Sequence, residues 1–289
     1  SVRHMFERRV SFYPSSFDKD GYLFTNTYLG DYPMFLPGGK EQIAGEYQPG
    51  WMLLSYGKKV SVSSSLEGCP AENIVDEDAR TAWVAQSNRD TEWVQIDLQR
   101  LSSIHAIQVN FDEYGANQKG VVSGVYQSYL IYASANGEDW SLVVDYGTKK
   151  TDTPHDYIEF EEPFKARYIK LQNKEYTVSE NFSVRNLRIF GKGQGSTPRA
   201  VNDFTVERDE ADPCKTRLCW EAVPDAQGYI VRYGIARDKL YNNFQVMGEN
   251  TLEIGSLNRE VAYYFTIDTY NENGITRTSR IMSVQKNAE

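Results

Sequence analysis

Apolar and polar residues alternate along Trp93-Val94-Gln95-Ile96-Asp97-Leu98. A period of two is typical of a β-strand, because successive side chains of a strand point to opposite faces of the sheet. The aliphatic side chains of this stretch are therefore expected to face a core. His105-Ile107-Val109-Phe111 continues with an apolar face of the same period. This part of the chain predicts a half-buried sheet.

The rest of the chain has the same character. Strand-like runs lie at Tyr129–Ala133, Arg167–Leu171 and Leu187–Phe190, and the tight-turn dipeptide Asn136-Gly137 follows the first of them. Helical periodicity is nearly absent, and short runs alternate with clusters of Gly, Asn, Asp and Pro. The sequence therefore predicts an all-β chain with one sandwich between residues 60 and 192.

Composition limits the classes of function. The 289 residues suggest about two domains. With 40 acidic against 31 basic residues, the net charge is −9, which argues against nucleic acid as a partner because phosphate binding depends on Lys and Arg. No apolar run approaches the ~18 residues of a membrane-spanning helix, so no transmembrane segment is expected. Cys214 and Cys219 lie on one predicted strand with opposed side chains, so no disulfide is expected between them.

The C-terminal part reads as a second sandwich. Gly193–Pro198 has the composition of a linker. Beyond it, about seven strands in about ninety residues fit a small immunoglobulin-like sandwich. The runs that predict these strands are Asp203–Arg208, Thr216–Glu221, Gly228–Gly234, Thr251–Ile254, Ala262–Asn271 and Arg277–Val284.

The N-terminal segment predicts a β-hairpin, in which Arg8–Tyr13 and Tyr22–Asn26 flank the turn Asp18–Gly21. A lone hairpin is marginal in water. Its dense aromatic residues are therefore expected to pack against the sandwich of residues 60–192, or against a second copy of the chain. These aromatic residues are Phe12, Tyr13, Phe17, Tyr22, Phe24, Tyr28, Tyr32 and Phe35.

Residues 59–192 resemble the discoidin, or coagulation factor 5/8 type C, family, which includes the family 32 carbohydrate-binding modules. The motifs that carry the resemblance occur in order at Asn73–Asp78, Thr81–Trp83, Trp93–Leu98, Ser134–Trp140 and Ala166–Leu171. The resemblance implies a galactose-binding-like jelly roll. It also implies core positions for Trp83, Trp93 and Trp140.

The flanking segments carry two further resemblances. Residues 199–289 are similar to fibronectin type III, with Trp220 and the Tyr263–Asn271 run at its characteristic positions and Tyr263 as the implied tyrosine-corner residue. Arg259 and Val261 depart from that family's pattern. His4–Pro33 resembles the last blade of a family 43 glycoside hydrolase propeller. The implied domains are a blade remnant with its connector at 1–58, a discoidin domain at 59–192, a linker at 193–198 and a fibronectin domain at 199–289.

The discoidin resemblance implies a calcium site. Calcium takes oxygen ligands from carboxylates, amides and carbonyls. In that family the loop that corresponds to residues 73–81 binds the ion together with a late glutamate, whose position is held here by a neutral Asn. The implied ligands are Asn73, Asp76, Asp78, Thr81 and Asn186. The alternative is that the two aspartates only order a turn.

The same resemblance implies sugar binding by loops at one end of the sandwich. A sugar has an apolar ring face and hydroxyl edges, so its site combines an aromatic platform with hydrogen-bonding groups. The long loop Asp112–Tyr126 and the loop Tyr176–Phe182 supply both. The candidates are Asp112, Glu113, Tyr114, Asn117, Tyr176, Asn181 and Phe182. The alternative is that these aromatic residues form an interface with an upstream domain.

No motif in the chain predicts catalysis. Nucleophile elbows, phosphate loops and His-Glu-x-x-His are absent from the sequence, and His4, His105 and His155 lack ligand spacing. We expect His105 to be a hydrogen-bonded core residue. The blade resemblance implies that catalytic carboxylates lie upstream, and the start at Ser1 without a signal-like stretch indicates a piece of a longer protein.

The expected function is therefore that of a non-catalytic accessory region of a bacterial, family 43-like glycoside hydrolase. Its expected partners are a polysaccharide or oligosaccharide and the upstream propeller of the same protein, in the periplasm, at the cell surface or outside the cell. Two alternatives remain: a structural spacer that braces the catalytic domain, and a discoidin module that binds protein or phospholipid.

Overall fold

The computed structural model describes residues 13, 15–34, 50–116 and 123–285. Apart from one 3-10 helix at Ala71–Val75, the regular elements of these residues are all β-strands, which confirms the all-β prediction. The strands are β1 Ser15–Phe17, β2 Leu23–Thr25, β3 Met52–Leu53, β4 Lys59–Val62, β5 Trp83–Val84, β6 Trp93–Phe111, β7 Gln127–Ser134, β8 Ser141–Tyr146, β9 His155–Tyr176, β10 Ser183–Lys192, β11 Phe204–Arg208, β12 Thr216–Trp220, β13 Gly228–Gly234, β14 Asn242–Met247, β15 Thr251–Ile254, β16 Tyr263–Asn271, β17 Gly274–Thr276 and β18 Met282–Val284.

The first compact unit contains Leu53–Gln194. Its strands follow the order β3-β10-β6-β9-β7-β8, with β4 added to β6 and β5 added to β10. The long strands β6 and β9 pair antiparallel with a break in register between Asp97 and Ser102, and Gln99 there has a φ of 66°. The first half of β6 carries β4 and the second half carries β10, so the sheet folds into a sandwich.

The predicted alternation in β6 is confirmed. Val94, Ile96 and Leu98 are buried in one core cluster with the fully buried Trp83, whereas the residues between them in β6 are half-buried. The apolar face of the second half continues this core through Ile107, Val109 and Phe111. The core therefore lies between the two layers, and loop residues such as Val178 and Phe182 close it at the strand ends.

His105 is not a core residue. The pairing of β6 with β9 shifts register between Ile104 and Ala106, and this irregularity leaves His105 half-buried, with Ser103 Oγ 3.4 Å from its Nε2. Burial and the nearby Lys192 charge lower the pKa of His105 below its usual value. A β-bulge changes which face a side chain takes, so a period of two cannot be extended through it.

Two of the three tryptophans that the resemblance placed in the core are only half-buried. Trp93 lies with Gln95 on the outer side of β6. Trp140 lies beneath Lys170, whose Nζ is 4.3 Å from the centre of the indole ring and 5.2 Å from that of Tyr132. These residues form an outer aromatic and cationic face of the sheet.

The second compact unit combines Gly195–Glu289 with Ser11–Met52. Its described residues form a three-stranded sheet, β11-β12-β15, and a five-stranded sheet, β14-β13-β16-β17 with β18 on β16. Trp220, Tyr229 and Phe265 belong to the core between these sheets. The Tyr263 hydroxyl accepts a hydrogen bond from the Asn258 backbone N–H at 3.2 Å. Cys214 and Cys219 are free thiols, but only Cys219 lies on β12, whereas Cys214 lies in the turn before it and not on the same strand as predicted.

The N-terminal hairpin packs against this second unit, so the prediction that it packs against the sandwich of residues 60–192 is wrong. β1 and β2 pair antiparallel, with Phe17 opposite Leu23. Phe24 stacks on Tyr241 with ring centres 4.3 Å apart. The Leu29 N–H donates to Gln245 Oε1 at 3.0 Å. The predicted strand residues 8–12, with Phe12, lie outside the described residues, as does Phe35.

Candidate functional site

The loops at one end of the first sandwich are joined by a buried carboxylate. Glu92 accepts hydrogen bonds from the hydroxyls of Ser63, Ser64 and Ser87 at 2.5, 2.7 and 2.6 Å. Burial raises the pKa of Glu92, but the three hydroxyls outweigh it and hold the pKa below its usual value. Charged acceptors form the stronger class of hydrogen bond. The segment of Ser63 and Ser64 is therefore fixed to the segment from Ser87 to Glu92, which is distant in sequence.

Asparagine side chains attach the loop 176–182 to this group. Asn88 Nδ2 donates to the carbonyls of Tyr176 and Ser179 at 3.2 and 2.9 Å. Asn173 Nδ2 donates to the carbonyl of Asn88 at 2.7 Å. Asn181, a predicted sugar ligand, donates from Nδ2 to the Ala85 carbonyl at 2.9 Å. Its amide N–H group is thus used to hold the loop.

Tyr176 and Phe182, two predicted sugar-contacting residues, lie inside the core. Their exposed fractions are 2% and 0%. Phe182 makes edge contacts with Trp83 at 5.8 Å and with Tyr176 at 5.5 Å between ring centres. A ring that solvent does not reach cannot stack on a sugar, so the structure does not support these two residues as a platform.

Asp112 anchors the start of the long loop. Its carbonyl accepts hydrogen bonds from the hydroxyls of Tyr176 and Ser183, and its carboxylate pairs with the Arg185 guanidinium. Arg185 was missed by the sequence reasoning. Its position at the start of β10, opposite the end of β6, could have indicated that it reaches the loop.

Glu113 and Tyr114 follow at the loop surface. Ala116 N–H donates to the Glu113 carbonyl at 3.2 Å, which closes a turn, and Gly115 within it has a φ of 64°. Tyr114 is 40% exposed. The predicted ligand Asn117 lies outside the described residues. The structure thus brings Asp112, Glu113 and Tyr114 together in one loop, whereas Tyr176 and Phe182 lie in the core and Asn181 holds the neighbouring loop.

The implied calcium ligands of the loop 73–81 are bound to protein groups. Asp76 accepts from the Thr81 hydroxyl at 2.7 Å and from the Asp78 N–H at 2.8 Å. Arg80 donates to both oxygens of Asp78, at 2.9 and 2.7 Å, and this pairing lowers the pKa of Asp78 to about 2. Asn73 Nδ2 donates to the Ala82 carbonyl at 2.9 Å.

Asn186 is buried on β10, and its side-chain oxygen accepts from Asn110 Nδ2 at 2.5 Å. Beside it in sequence, Arg188 pairs with Glu77 at 2.9 Å, and both side chains are largely buried. Two guanidinium groups thus pair with acidic residues of this loop. As arranged, Asp78 is held by the exposed Arg80 guanidinium, which a calcium ion would have to displace. Calcium binding stays a prediction.

The described part of the chain contains neither of two further features, a metal cluster and a membrane-spanning helix. Within it, no group of three or more His, Cys, Asp or Glu side chains is gathered as a metal site. No helix within it has the length and apolar character that crossing a membrane requires.

The sequence profile of the F5/8 type C domain matches residues 59–187. Residues 59–187 are an F5/8 type C domain. The loops that Glu92 and the asparagine side chains hold together belong to this domain. The loop of Asp112, Glu113 and Tyr114 belongs to it as well.

Two curated proteins are similar to part of this chain. Lactadherin from Rattus norvegicus is 33% identical over 96 residues, which are 31% of this chain and 21% of that protein. Lactadherin from Mus musculus is 32% identical over 96 residues, 31% of this chain and 20% of that protein. The chain matches about a fifth of the length of these relatives.

Solved structures that match part of this chain include two bacterial binding modules. Chitosan-binding module 1 of a chitosanase/glucanase from Paenibacillus sp. IK-5 has a TM-score of 0.41 at 19% identity, over 48% of this chain and 99% of that one. The family 32 carbohydrate-binding module of NanJ from C. perfringens, in complex with galactose, has a TM-score of 0.41 at 19% identity, over 48% of this chain and 98% of that one.

Proposed function

We propose that the F5/8 type C domain is a non-catalytic carbohydrate-binding module whose saccharide lies on the loop that begins at Asp112. The observation that carries the proposal is the exposed ring of Tyr114, which follows Glu113 and the Asp112–Arg185 ion pair. Small-molecule sites combine apolar surface with a few placed polar groups. Asn117 remains part of the proposed site, whereas Tyr176, Asn181 and Phe182 position the loop.

A glycan array with plant-cell-wall and host glycans tests this proposal. We expect the chain to retain one class of glycan and Tyr114→Ala to lose it. Tyr157→Ala is the matched control, because Tyr157 is 43% exposed, close to the 40% of Tyr114, but lies on β9. Its binding should equal that of the unmodified chain.

The same array separates the alternatives. Equal binding by Tyr114→Ala would place the sugar elsewhere. Failure to bind any glycan would contradict the proposal and favour the structural spacer. Binding to phosphatidylserine vesicles without binding to glycans would instead favour the lipid-binding alternative.

We further propose that the chain is the accessory C-terminal region of a bacterial, family 43-like glycoside hydrolase that reaches the periplasm, cell surface or medium. The order of the three motif-bearing segments supports this, with proposed boundaries at 1–58, 59–192, 193–198 and 199–289. The hydrogen bond from Asn258 to Tyr263 supports the fibronectin type III assignment of the last segment, because a tyrosine corner makes such a bond to nearby upstream backbone. We expect the chain itself to release no reducing ends from polysaccharide; measurable release would contradict a non-catalytic role.

A further inference from the structure

A second candidate site lies within the second compact unit, between the N-terminal hairpin and the five-stranded sheet. A cavity of about 570 Å³ opens there. This volume falls within the ~300–1,000 Å³ that small-molecule sites occupy. Phe24, Tyr241 and Leu240 supply apolar lining, and Asn26 contributes an amide. The cavity is independent of the loops of residues 59–187.

Arg232, which lines the cavity, belongs to a charged cluster with excess positive charge. Asp268 is fully buried and accepts hydrogen bonds from two guanidinium groups. Arg232 donates to it from Nε and Nη2 at 2.7 and 3.2 Å, and Arg277 from Nη1 at 2.6 Å. One carboxylate thus faces two cations. Among the described residues, nothing engages Arg232 Nη1, and Arg232 lines the cavity.

The rim adds a further cation. Arg237 lines the cavity, is exposed, and stacks over the Tyr264 ring at 5.4 Å; no described carboxylate pairs with it. The two acidic residues of the lining are already paired. Asp18 binds Lys239 and Tyr241, each at 2.7 Å, and Asp238 lies 3.6 Å from Lys19. Lys239 also binds Asp20 at 2.7 Å. Counted together, these four aspartates face five cations, so the group carries one net positive charge although the whole chain carries −9. The members are Asp18, Asp20, Asp238 and Asp268, and Lys19, Lys239, Arg232, Arg237 and Arg277.

We propose that this cavity binds a saccharide that bears a carboxylate, such as a uronic acid unit. The carboxylate would pair with Arg232 and Arg237, because planar guanidinium groups match carboxylates in geometry as well as charge. The sugar ring would lie along the apolar edge of Tyr241 and Leu240, and Asn26 would bond its hydroxyls. The choice of a saccharide over another carboxylate rests on the proposed function of the chain.

Calorimetric titration of the whole chain with a galacturonic acid trisaccharide tests the proposal, with the neutral galactose trisaccharide as matched ligand. We expect binding of the acidic ligand and none of the neutral one at this site. Arg237→Gln should weaken binding about tenfold, as loss of a charge-assisted bond predicts. Asp238→Asn should strengthen it about twofold, since it removes a nearby negative charge. Arg217→Gln is the control, because Arg217 is an exposed arginine of β12 in the other sheet.

The variants also separate this site from the loop of the F5/8 type C domain. Tyr114→Ala should leave binding of the galacturonate trisaccharide unchanged, and Arg237→Gln should leave the array signal of the loop unchanged. Absence of binding, equal binding by Arg237→Gln, or loss of binding in Tyr114→Ala would each overturn the cavity proposal. If the unmodified chain gave no array signal but still bound the galacturonate trisaccharide, only the loop proposal would be overturned.

Discussion

The ion pair between Asp78 and Arg80 affects how strongly the loop 73–81 can bind a cation. The guanidinium makes two charge-assisted hydrogen bonds to the carboxylate, so the charge that calcium would neutralise is already neutralised. We therefore predict that calcium at 1 mM raises the melting temperature by less than about 2 °C, since a weak ligand at that concentration adds little stability. Differential scanning calorimetry with calcium and after chelation measures this shift.

A rise of several degrees that Asp76→Asn abolishes would contradict that prediction. Arg80→Gln provides the matched test. If Arg80 occupies the place of the ion, its removal should increase the response to calcium, because Asp78 then lacks a cationic partner.

Glu92 is the residue that links the loops at the proposed sugar-binding end. We predict that Glu92→Gln lowers the free energy of unfolding by about 1–3 kcal/mol, because hydrogen bonds to a buried charge weaken. The pKa of Glu92 in the folded chain is below its usual 4.5. Ionised Glu92 therefore contributes its full stabilisation of the fold above pH 4.5, and this contribution is lost as the pH falls through the pKa of the folded state. Urea melts between pH 7 and 3 check both effects.

The exposed Glu67→Gln serves as control for these melts, because Glu67 lies at the loop surface. If the two variants lost stability equally, or if Glu92→Gln kept the full pH dependence of the unmodified chain, Glu92 would not be the link between these loops.

The role of single residues was the part of the site least predictable from sequence. Tyr114 and Phe182 are both aromatic loop residues, but one is exposed and the other fully buried. The difference arises from tertiary packing around Trp83, which leaves no periodic signal in the sequence. Arg185 was missed for the same reason, because its partner Asp112 is distant along the chain.

At the scale of elements, Gly234 marks a close approach at the end of β13. A Cβ there would meet the Lys239 carbonyl oxygen at 1.8 Å. We predict that Gly234→Ala costs about 2–3 kcal/mol of stability, because the backbone must shift to relieve the overlap. Gly255→Ala, in the same unit, meets nothing within 4 Å and should change stability by less than about 0.5 kcal/mol. If thermal melts showed the same loss of stability in Gly234→Ala and Gly255→Ala, this account would be contradicted.

Most strands of the second unit were predictable from short strand-like runs, but the edge strand β14 was not. Gly228–Gly234 and Thr251–Ile254 were predicted with the bounds that β13 and β15 have. β14, at Asn242–Met247, was missed because its polar residues form an edge with only one buried position. The predicted strand Arg277–Val284 is mostly irregular, since Arg277 and Thr278 bond to Asp268 and only Met282–Val284 pairs with β16.

At the scale of the whole molecule, Asp18 attaches the N-terminal hairpin to the C-terminal part of the second compact unit. Burial by itself would raise the pKa of Asp18, but hydrogen bonds from Lys239 and Tyr241 outweigh it and hold this pKa well below its usual range. We predict that Lys239→Ala increases amide hydrogen exchange of residues 15–25 about tenfold, because local opening becomes easier. Lys19→Ala should have little effect, since its pair with Asp238 is exposed.

The same attachment has a defined pH dependence. The pKa of Asp18 in the folded chain is lower than its usual 3.8. Ionised Asp18 therefore stabilises the attachment of the hairpin fully above pH 3.8, and this stabilisation is lost as the pH falls through the pKa of the folded state. Protection of residues 15–25 should therefore persist at pH 5 and fall below pH 3. Protection that Lys239→Ala leaves unchanged would contradict a hairpin held by this ion pair.

The sequence predicted the all-β class and the position of the F5/8 type C domain, because strand alternation and ordered motifs are local signals. It did not predict which unit the N-terminal hairpin joins. Pairing of Asp18 with Lys239 and stacking of Phe24 on Tyr241 connect residues more than 200 positions apart, and nothing in a single sequence marks such partners.

The most direct test of the central claim is a calorimetric titration of the glycan that the array identifies into the unmodified chain, Tyr114→Ala and Tyr157→Ala. The account predicts one binding event, weakened at least about tenfold by Tyr114→Ala and unchanged by Tyr157→Ala. Equal affinity of all three proteins, with Tyr114→Ala correctly folded, would contradict a saccharide site on the loop that begins at Asp112.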